Sequence, residues 1–331
     1  MDNKGVLVCG EIVEGKLAPI TIELLGVGRK LADELGEDLS ALLMGGKAGG
    51  LGQEAIAYGA DKVYIAEDSL LDSYNSDAYT QMAADLCQKE LPSIVLLGHT
   101  DIGCDLAPRL NGRLGGGLAM DCLELSLDSA KMLVSTRPVF GGNAHATMVS
   151  KTARPQMATL RPKTVPPAKR DDSRKGEVIP VEGKLDPAAL KVKVVERIKE
   201  EVEGVKLEDA EVVVSGGRGI GSAQSFEMLR ELASVLGGAV GATRPACDEG
   251  WAPMTLQIGQ TGKVVSPKLY IAVGLSGAIQ HIGGCLGSKY IVAINNDKEA
   301  NIFNVAHFGI VADYKEVLPA LTAKFKELLS A

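Results

Sequence analysis

The sequence predicts an α/β protein of two domains: a parallel sheet with an antiparallel excursion, followed by a doubly wound domain. Three observations predict it. Short apolar runs alternate with helical patterns along the 331 residues, which is how α/β architectures read. The alternation stops between about residues 118 and 160, where strand-like runs follow one another without a helix. It stops again over 161–210 and then restarts.

The first domain spans residues 1–200. Val6–Gly10, Leu39–Met44, Lys62–Ala66 and 93–98 are short apolar runs and read as strands. Pro19–Leu35 and 77–91 read as helices between them. Residues 97–109 read as a strand end, a loop and a helix start. A hairpin is expected from 118–127 and 131–140, with further strands at 144–150 and Gln156–Leu160. Residues 161–187 are rich in proline and charge and read as an irregular surface segment. Residues 191–200 alternate and read as an edge strand, and the charged stretch 201–210 as a linker.

The second domain spans residues 201–331. Strands are expected at 211–215, Ala239–Ala242, 269–274, Tyr290–Asn295 and Phe308–Val311. Helices are expected at 222–236, 278–286 and Tyr314–Leu329, and a long loop at 243–266. Binding crevices in such sheets lie at the carboxyl ends of the strands, and the motifs of this half fall there.

The run Pro267-Lys-Leu-Tyr-Ile-Ala-Val-Gly-Leu-Ser-Gly-Ala-Ile-Gln-His281 is the most informative. A buried strand leads through a Ser276–Gly277 turn into a helix start at Ala278 and Ile279. Free backbone N–H groups and a positive dipole end make such a start an anion site. The Ser276 hydroxyl adds a donor, and Gly277 admits a phosphate to the backbone. Gln280 and His281 follow in the first turn, so a dinucleotide phosphate is expected here.

Val213-Val-Ser-Gly-Gly-Arg-Gly-Ile-Gly221 also joins a strand to a helix but lacks the G-x-G-x-x-G spacing. Its Arg218 is either a diphosphate clamp or an exposed loop arginine. In Gly241-Ala-Thr-Arg-Pro-Ala-Cys-Asp248, Pro245 fixes the chain after Arg244; the plainer reading pairs Arg244 with Asp248 at the surface. Leu256-Gln-Ile-Gly-Gln-Thr-Gly-Lys263 is a polar loop in which Thr261 or a backbone amide offers donors, or else an ordinary turn. Asn295 and Asp313 end strands and suit either nucleotide contacts or helix caps. Gly45-Gly-Lys-Ala-Gly-Gly-Leu-Gly52 is not a Walker A loop and reads as structural. His99 reads as a local hydrogen-bonder.

Composition narrows the function class. The net charge is −7, which argues against nucleic-acid or anionic-membrane partners. No apolar run approaches the roughly 18 residues that span a bilayer. The six cysteines are scattered without a C-x-x-C, which argues for reduced thiols in a cytoplasmic protein rather than a disulfide frame, a zinc site or an iron–sulfur cluster. No catalytic triad or metal pattern is evident.

Together these strings resemble the electron transfer flavoprotein α-subunit family over nearly the whole chain. Gly15-Lys-Leu-Ala-Pro, Asp105-Leu-Ala-Pro-Arg-Leu, Arg137-Pro, Arg154-Pro-Gln-Met-Ala-Thr and Arg161-Pro resemble its first domain. Ser215-Gly-Gly-Arg-Gly, Gly259-Gln-Thr-Gly-Lys, Ser276-Gly-Ala-Ile-Gln-His and Val292-Ala-Ile-Asn resemble its FAD domain. The resemblance implies a nucleotide-α-hydrolase-like first domain, a heterodimer with a β-subunit, and one FAD held mainly by the second domain. It implies electron shuttling from flavin dehydrogenases, such as the acyl-CoA dehydrogenases of fatty acid β-oxidation, to a quinone oxidoreductase or to ferredoxin or flavodoxin.

By the same resemblance, Arg218 and Thr243 contact the nucleotide, and Arg244 lies against the isoalloxazine. Ile258, Gly259, Gln260, Thr261 and Gly262 line the ring. Ser276, Gly277, Ala278, Ile279, Gln280 and His281 hold the diphosphate, the ribityl chain and the ring's N1/O2 edge. Asn295, Asp313 and Tyr314 surround the adenosine. A cationic or donating His281 would stabilise a ring that gains negative charge. The chain departs from the family at Thr243, at Pro245-Ala246-Cys247, at Asn295-Asn-Asp-Lys298 and at His307, which leaves the subtype open. That subtype includes electron-bifurcating members that oxidise NADH with a second FAD. Outside the family stand a nicotinamide-dependent dehydrogenase and a non-redox nucleotide-binding subunit.

Overall fold

The structure is a computed structural model that describes residues 3–142, 144–181, 185, 187, 188, 190–196 and 205–329. It divides into two compact units, Met1–Val139 with Asn143–Ile198, and Phe140–Gly142 with Lys199–Ala331.

In the first unit, β1 (Val6–Gly10) is followed by a small hairpin, β2 (Ile12–Val13) and β3 (Lys16–Leu17), and by α1 (Pro19–Leu35). Then come β4 (Leu39–Met44), α2 (Gly52–Ala57), β5 (Lys62–Ala66), α3 (Ser76–Glu90), β6 (Ile94–Gly98) and α4 (Asp101–Leu114). The unit continues with β7 (Gly117–Cys122), β8 (Glu124–Leu127), β9 (Leu133–Val139), β10 (Ala144–Val149), β11 (Gln156–Leu160) and β12 (Glu177–Pro180). Seven strands form one parallel sheet in the order β12-β5-β4-β1-β6-β11-β7.

Side chains alternate across that sheet. Val6 and Val8 of β1 join one core layer, with α1 and α2. Leu7 and Cys9 join the opposite layer, with α3 and α4. Burial on both faces explains why these strands read as unbroken apolar runs. The helix ends follow local chemistry: Pro19 occupies the first turn of α1, Asn75 Oδ1 caps α3, and the Thr100 hydroxyl accepts from the Gly103 N–H at the start of α4.

Three expectations for this unit are corrected. The expected strand 118–127 is two strands. Its first part, β7, pairs in parallel with β11, and its second part, β8, joins the antiparallel sheet β10-β9-β8. Asp121, at φ 62°, bends the chain there, and its carboxylate is held by the Arg161 guanidinium at 2.7 and 2.8 Å. The expected irregular segment 161–187 contains β12, which pairs with Lys62 to Ile65; four residues at a sheet edge, three of them exposed, carry little pattern. The expected strand at 191–200 is not formed over 191–196, and the remainder lies outside the described residues. Side chains at the start of α3 hold this stretch instead: Asn75 Nδ2 donates to the Val192 carbonyl, and Asp77 accepts from the Lys191 N–H.

The second unit contains β13 (Val212–Gly216), α5 (Phe226–Val235), β14 (Ala239–Ala242), α6 (Arg244–Asp248), β15 (Leu269–Val273), α7 (Ile279–Ile282), β16 (Tyr290–Asn295), β17 (Phe308–Val311) and α8 (Tyr314–Leu329). Its five strands are all parallel, in the order β14-β13-β15-β16-β17. Helices α5, α6 and α8 cover one face. Irregular segments carrying Leu207, Ile258, Val265 and Ile302 cover the other. The expected loop 243–266 opens with α6. The expected helix 278–286 is only the single turn α7, because Gly283 and Gly284 follow and Gly284 packs on the backbone of Gly259.

Candidate cofactor cleft

After β13 the chain moves to β14 on one side and then returns to β15 on the other. The strand order therefore reverses between β13 and β15, and a crevice opens there at the carboxyl ends. Backbone bonds tie the four strand-end loops together. Thr243 N–H donates to Gly216 O, Gly217 N–H to Val273 O, Gly219 N–H to Gly274 O, and Gly274 N–H to Ile294 O, at 2.8 to 3.0 Å. Glycine is required in the β13 loop: a Cβ on Gly217 or Gly219 would stand 2.5 Å from the Gly274 oxygen.

These loops and residues 257–261 enclose a cleft of about 640 Å³, within the range of ligand and cofactor pockets. The structure brings thirteen of the expected site residues to it: Arg218, Thr243, Arg244, Ile258, Gly259, Gln260, Thr261, Ser276, Gly277, Ala278, Gln280, His281 and Asn295. Four lie outside the lining. Gly262 sits at the back of the 259–263 turn, and Ile279 is exposed. Asp313 caps α8, accepting from the Lys315 N–H, and Tyr314 is buried in the core with its hydroxyl on the Ile220 carbonyl. The lining also includes Gly219, Pro245, Gln257, Gly274, Leu275, Asp297 and Ala300. Gln257 stands one residue ahead of the range taken from its string. Asp297 was legible only as the third residue of Asn-Asn-Asp, where its N–H donates to Asn295 Oδ1.

The donors are of two kinds. The backbone N–H groups of Ser276, Gly277 and Ala278 find no acceptor among the described residues, and Gly277 holds φ 79°. Arg218 and Arg244 add guanidinium groups; Arg244 Nε lies 3.6 Å from Asp248, both side chains being well exposed. The surface pairing and the cleft position of Arg244 thus coexist. An anion in this cleft would meet loop amides and guanidinium charge rather than a helix dipole, because α7 has four residues and aligned peptide dipoles sum with length. Free amides, two cations and an apolar floor of Ile258 and Leu275 fit a cofactor that joins a diphosphate to a flat ring system.

His281 departs from expectation. It is buried, and burial pushes its pKa down to about 4, opposed by the bond to Ile258. Its Nδ1 lies 3.0 Å from Ile258 O and its Nε2 lies 2.8 Å from the Tyr270 hydroxyl. The imidazole is therefore neutral, and both nitrogens are committed inside the protein, so it offers the cleft neither a charge nor an N–H. The Asn295 amide is likewise engaged, its Nδ2 donating to Leu275 O at 2.9 Å.

Elsewhere, His99 Nδ1 meets Thr159 Oγ1 at 2.9 Å, and Gly49 N–H donates to Glu67, so the 45–52 loop faces a carboxylate. All six cysteines are free. Among the described residues, no helix is long and apolar enough to cross a membrane, and no group of His, Cys, Asp and Glu is arranged to hold a metal.

The fold and cleft define a class: a two-unit α/β chain whose second unit is a doubly wound cofactor-binding domain. Comparison with known proteins places it more closely. Residues 6–185 match the family described as electron transfer flavoprotein domain, and residues 206–286 the electron transfer flavoprotein FAD-binding domain. The electron transfer flavoprotein subunit alpha of Thermoanaerobacterium thermosaccharolyticum is 44% identical over 327 residues, covering 99% of each chain. That of Megasphaera elsdenii is 47% identical over 329 residues, covering 98% of this chain and 97% of the relative. Protein FixB of Clostridium saccharobutylicum is 46% identical over 331 residues, covering 100% and 98%. The chain belongs to the electron transfer flavoprotein α-subunit family; its cofactor is FAD and its role is that of an electron carrier.

Proposed function

We propose that this chain is the FAD-holding half of a heterodimer with a β-subunit. The pair receives electrons from flavin dehydrogenases, such as acyl-CoA dehydrogenases, and delivers them to a quinone oxidoreductase or to ferredoxin or flavodoxin. One observation carries the reading: the cleft at the β13–β15 switch point gathers the loops of four strands, with free amides and two guanidinium groups. Bound FAD supplies a ring that takes up and releases electrons.

The protein's own residues do the rest. The amides of Ser276, Gly277 and Ala278, with Arg218, would hold the diphosphate. Ile258 and Leu275 would shield the ring from water. Arg244 would place positive charge near it and favour added electrons. The match to the electron transfer flavoprotein FAD-binding domain supports an electron carrier over a nicotinamide-dependent dehydrogenase or a non-redox nucleotide-binding subunit.

The test is direct. The chain is co-expressed with its β-subunit, and the purified complex is assayed for flavin absorbance, then mixed with a reduced acyl-CoA dehydrogenase and, separately, with NADH. A yellow complex reduced by the dehydrogenase supports the reading. Reduction by NADH with two flavins per complex would assign it to the bifurcating members, and a colourless complex would refute it.

A further inference from the structure

Gln257 and Thr261 bracket the tight turn that carries Gly259 and Gln260, and both line the cleft. Thr261 is exposed, whereas Gln257 is only 2% exposed. Gln257 Nε2 donates to Thr261 Oγ1 at 3.0 Å. Gln257 Oε1 is buried with no hydrogen-bond partner among the described residues, and the bond to Thr261 orients the amide. The backbone around it is clamped. Lys263 N–H donates to Gln257 O at 2.7 Å and Gly262 N–H to Gly259 O at 3.0 Å, and a Cβ on Gly262 would stand 2.4 Å from Gln257 O.

A hydroxyl has one proton and two lone pairs. With one lone pair engaged by a fixed amide N–H, the Thr261 proton is directed away from Gln257. We infer that Gln257 is a positioning residue that sets Thr261 as a hydrogen-bond donor toward the flavin ring. The inference rests on the reading that this cleft holds FAD with the ring beside Thr261. A donor already aimed at a group strengthens as that group gains negative charge, so Gln257 acts through Thr261 to make the first added electron easier.

The test uses the FAD-loaded complex with the β-subunit, titrated with dithionite as the electron source. Wild type is compared with Gln257→Met, Gln257→Glu, Thr261→Val and the double variant Gln257→Met/Thr261→Val. Bound FAD is quantified first: a wild-type complex without FAD defeats the cleft reading and is distinct from failure of the inference. Gln257→Met and Thr261→Val should each make the first electron about tenfold less favourable, about 59 mV. The double variant should fall no lower than Thr261→Val alone, because both act through one hydroxyl. In Gln257→Glu the carboxylate can only accept, which turns the hydroxyl inward and shifts the potential at least as far. A Gln257→Met potential equal to wild type, or additive shifts in the double variant, overturns the inference. Should a Gln257 variant not fold, the Gln257 side-chain amide resonance of the otherwise native complex decides: it should move in Thr261→Val, and an unmoved resonance overturns the inference.

Discussion

The Tyr270 hydroxyl lies 2.8 Å from His281 Nε2, while His281 Nδ1 lies 3.0 Å from the carbonyl oxygen of Ile258. A carbonyl oxygen only accepts, so Nδ1 carries the imidazole proton and Nε2 receives the phenol's. Tyr270 comes from the buried strand β15 and Ile258 from the loop that floors the cleft. Two separate elements thus hold one histidine in a single neutral tautomer.

The bound flavin should show no histidine titration near neutrality. Burial pushes the His281 pKa down to about 4, below the ordinary value of about 6.5. Midpoint potentials measured from about pH 6 to about pH 8 should run parallel in wild type and His281→Asn, whatever their offset. A bend in the wild-type curve that the variant lacks would show the imidazole ionising there.

The same depression makes stability pH-dependent. As pH falls below about 6.5, the unfolded chain takes up a proton that the buried imidazole refuses, so stability falls with pH until about 4. The loss by about pH 5 should be roughly 2 kcal/mol. Trp251 is the single tryptophan and belongs to the second unit, so its fluorescence in urea reports that unit. His281→Gln should lose less on acidification; an equal loss would assign the effect to other groups.

Tyr270→Phe should destabilise the second unit by about 1–3 kcal/mol, because it leaves His281 Nε2 buried without a partner. The urea midpoint should shift at constant slope. A change under about 0.5 kcal/mol would mean that the bond contributes little.

Arg244→Ala should lower the flavin potential while leaving stability within about 0.5 kcal/mol, since an exposed pair such as Arg244–Asp248 adds little to the fold. Redox titration and thermal melting of the same samples separate the two effects. An unchanged potential with FAD fully bound would remove Arg244 from the ring's surroundings.

Gly277→Ala should release FAD. The residue holds φ 79°, and a Cβ would stand 2.2 Å from the backbone nitrogen of Ile302, so the amide-bearing loop must shift. Strain of about 1–3 kcal/mol is expected, and the dissociation constant should rise at least about tenfold. Wild-type FAD affinity would show that the loop tolerates the added carbon.

The sequence determined the α/β class, the second unit's five-strand order of elements, and the string of strand-end loops that became the cleft, because those features are local. A run such as Val6–Gly10 declares a buried strand through its own residues, and Ser276–Gly277 declares a turn. The elements that misled were those whose state depends on distant partners. Residues 118–127 read like one strand, yet the chain leaves the parallel sheet at Asp121, which holds φ 62° and is bound by the distant Thr159 hydroxyl and Arg161 guanidinium. Glu177–Pro180 becomes a strand because β5 offers a free edge. The helix after Ala278 stops after one turn because Gly284 must lie against Gly259.

Tertiary structure alone decided the chemistry of the individual side chains. His281 reads as a charge or a donor until Ile258 and Tyr270 close on its two nitrogens. Asp313 suits either a nucleotide contact or a helix cap, and its carboxylate accepts from the Lys315 N–H at the start of α8, while the Tyr314 hydroxyl donates to the Ile220 carbonyl. Gln257 gains meaning only when the turn brings Thr261 back to it. Periodicity and turn chemistry act over a few residues along the chain. Desolvation and hydrogen-bond pairing act across space, between residues that the sequence leaves apart.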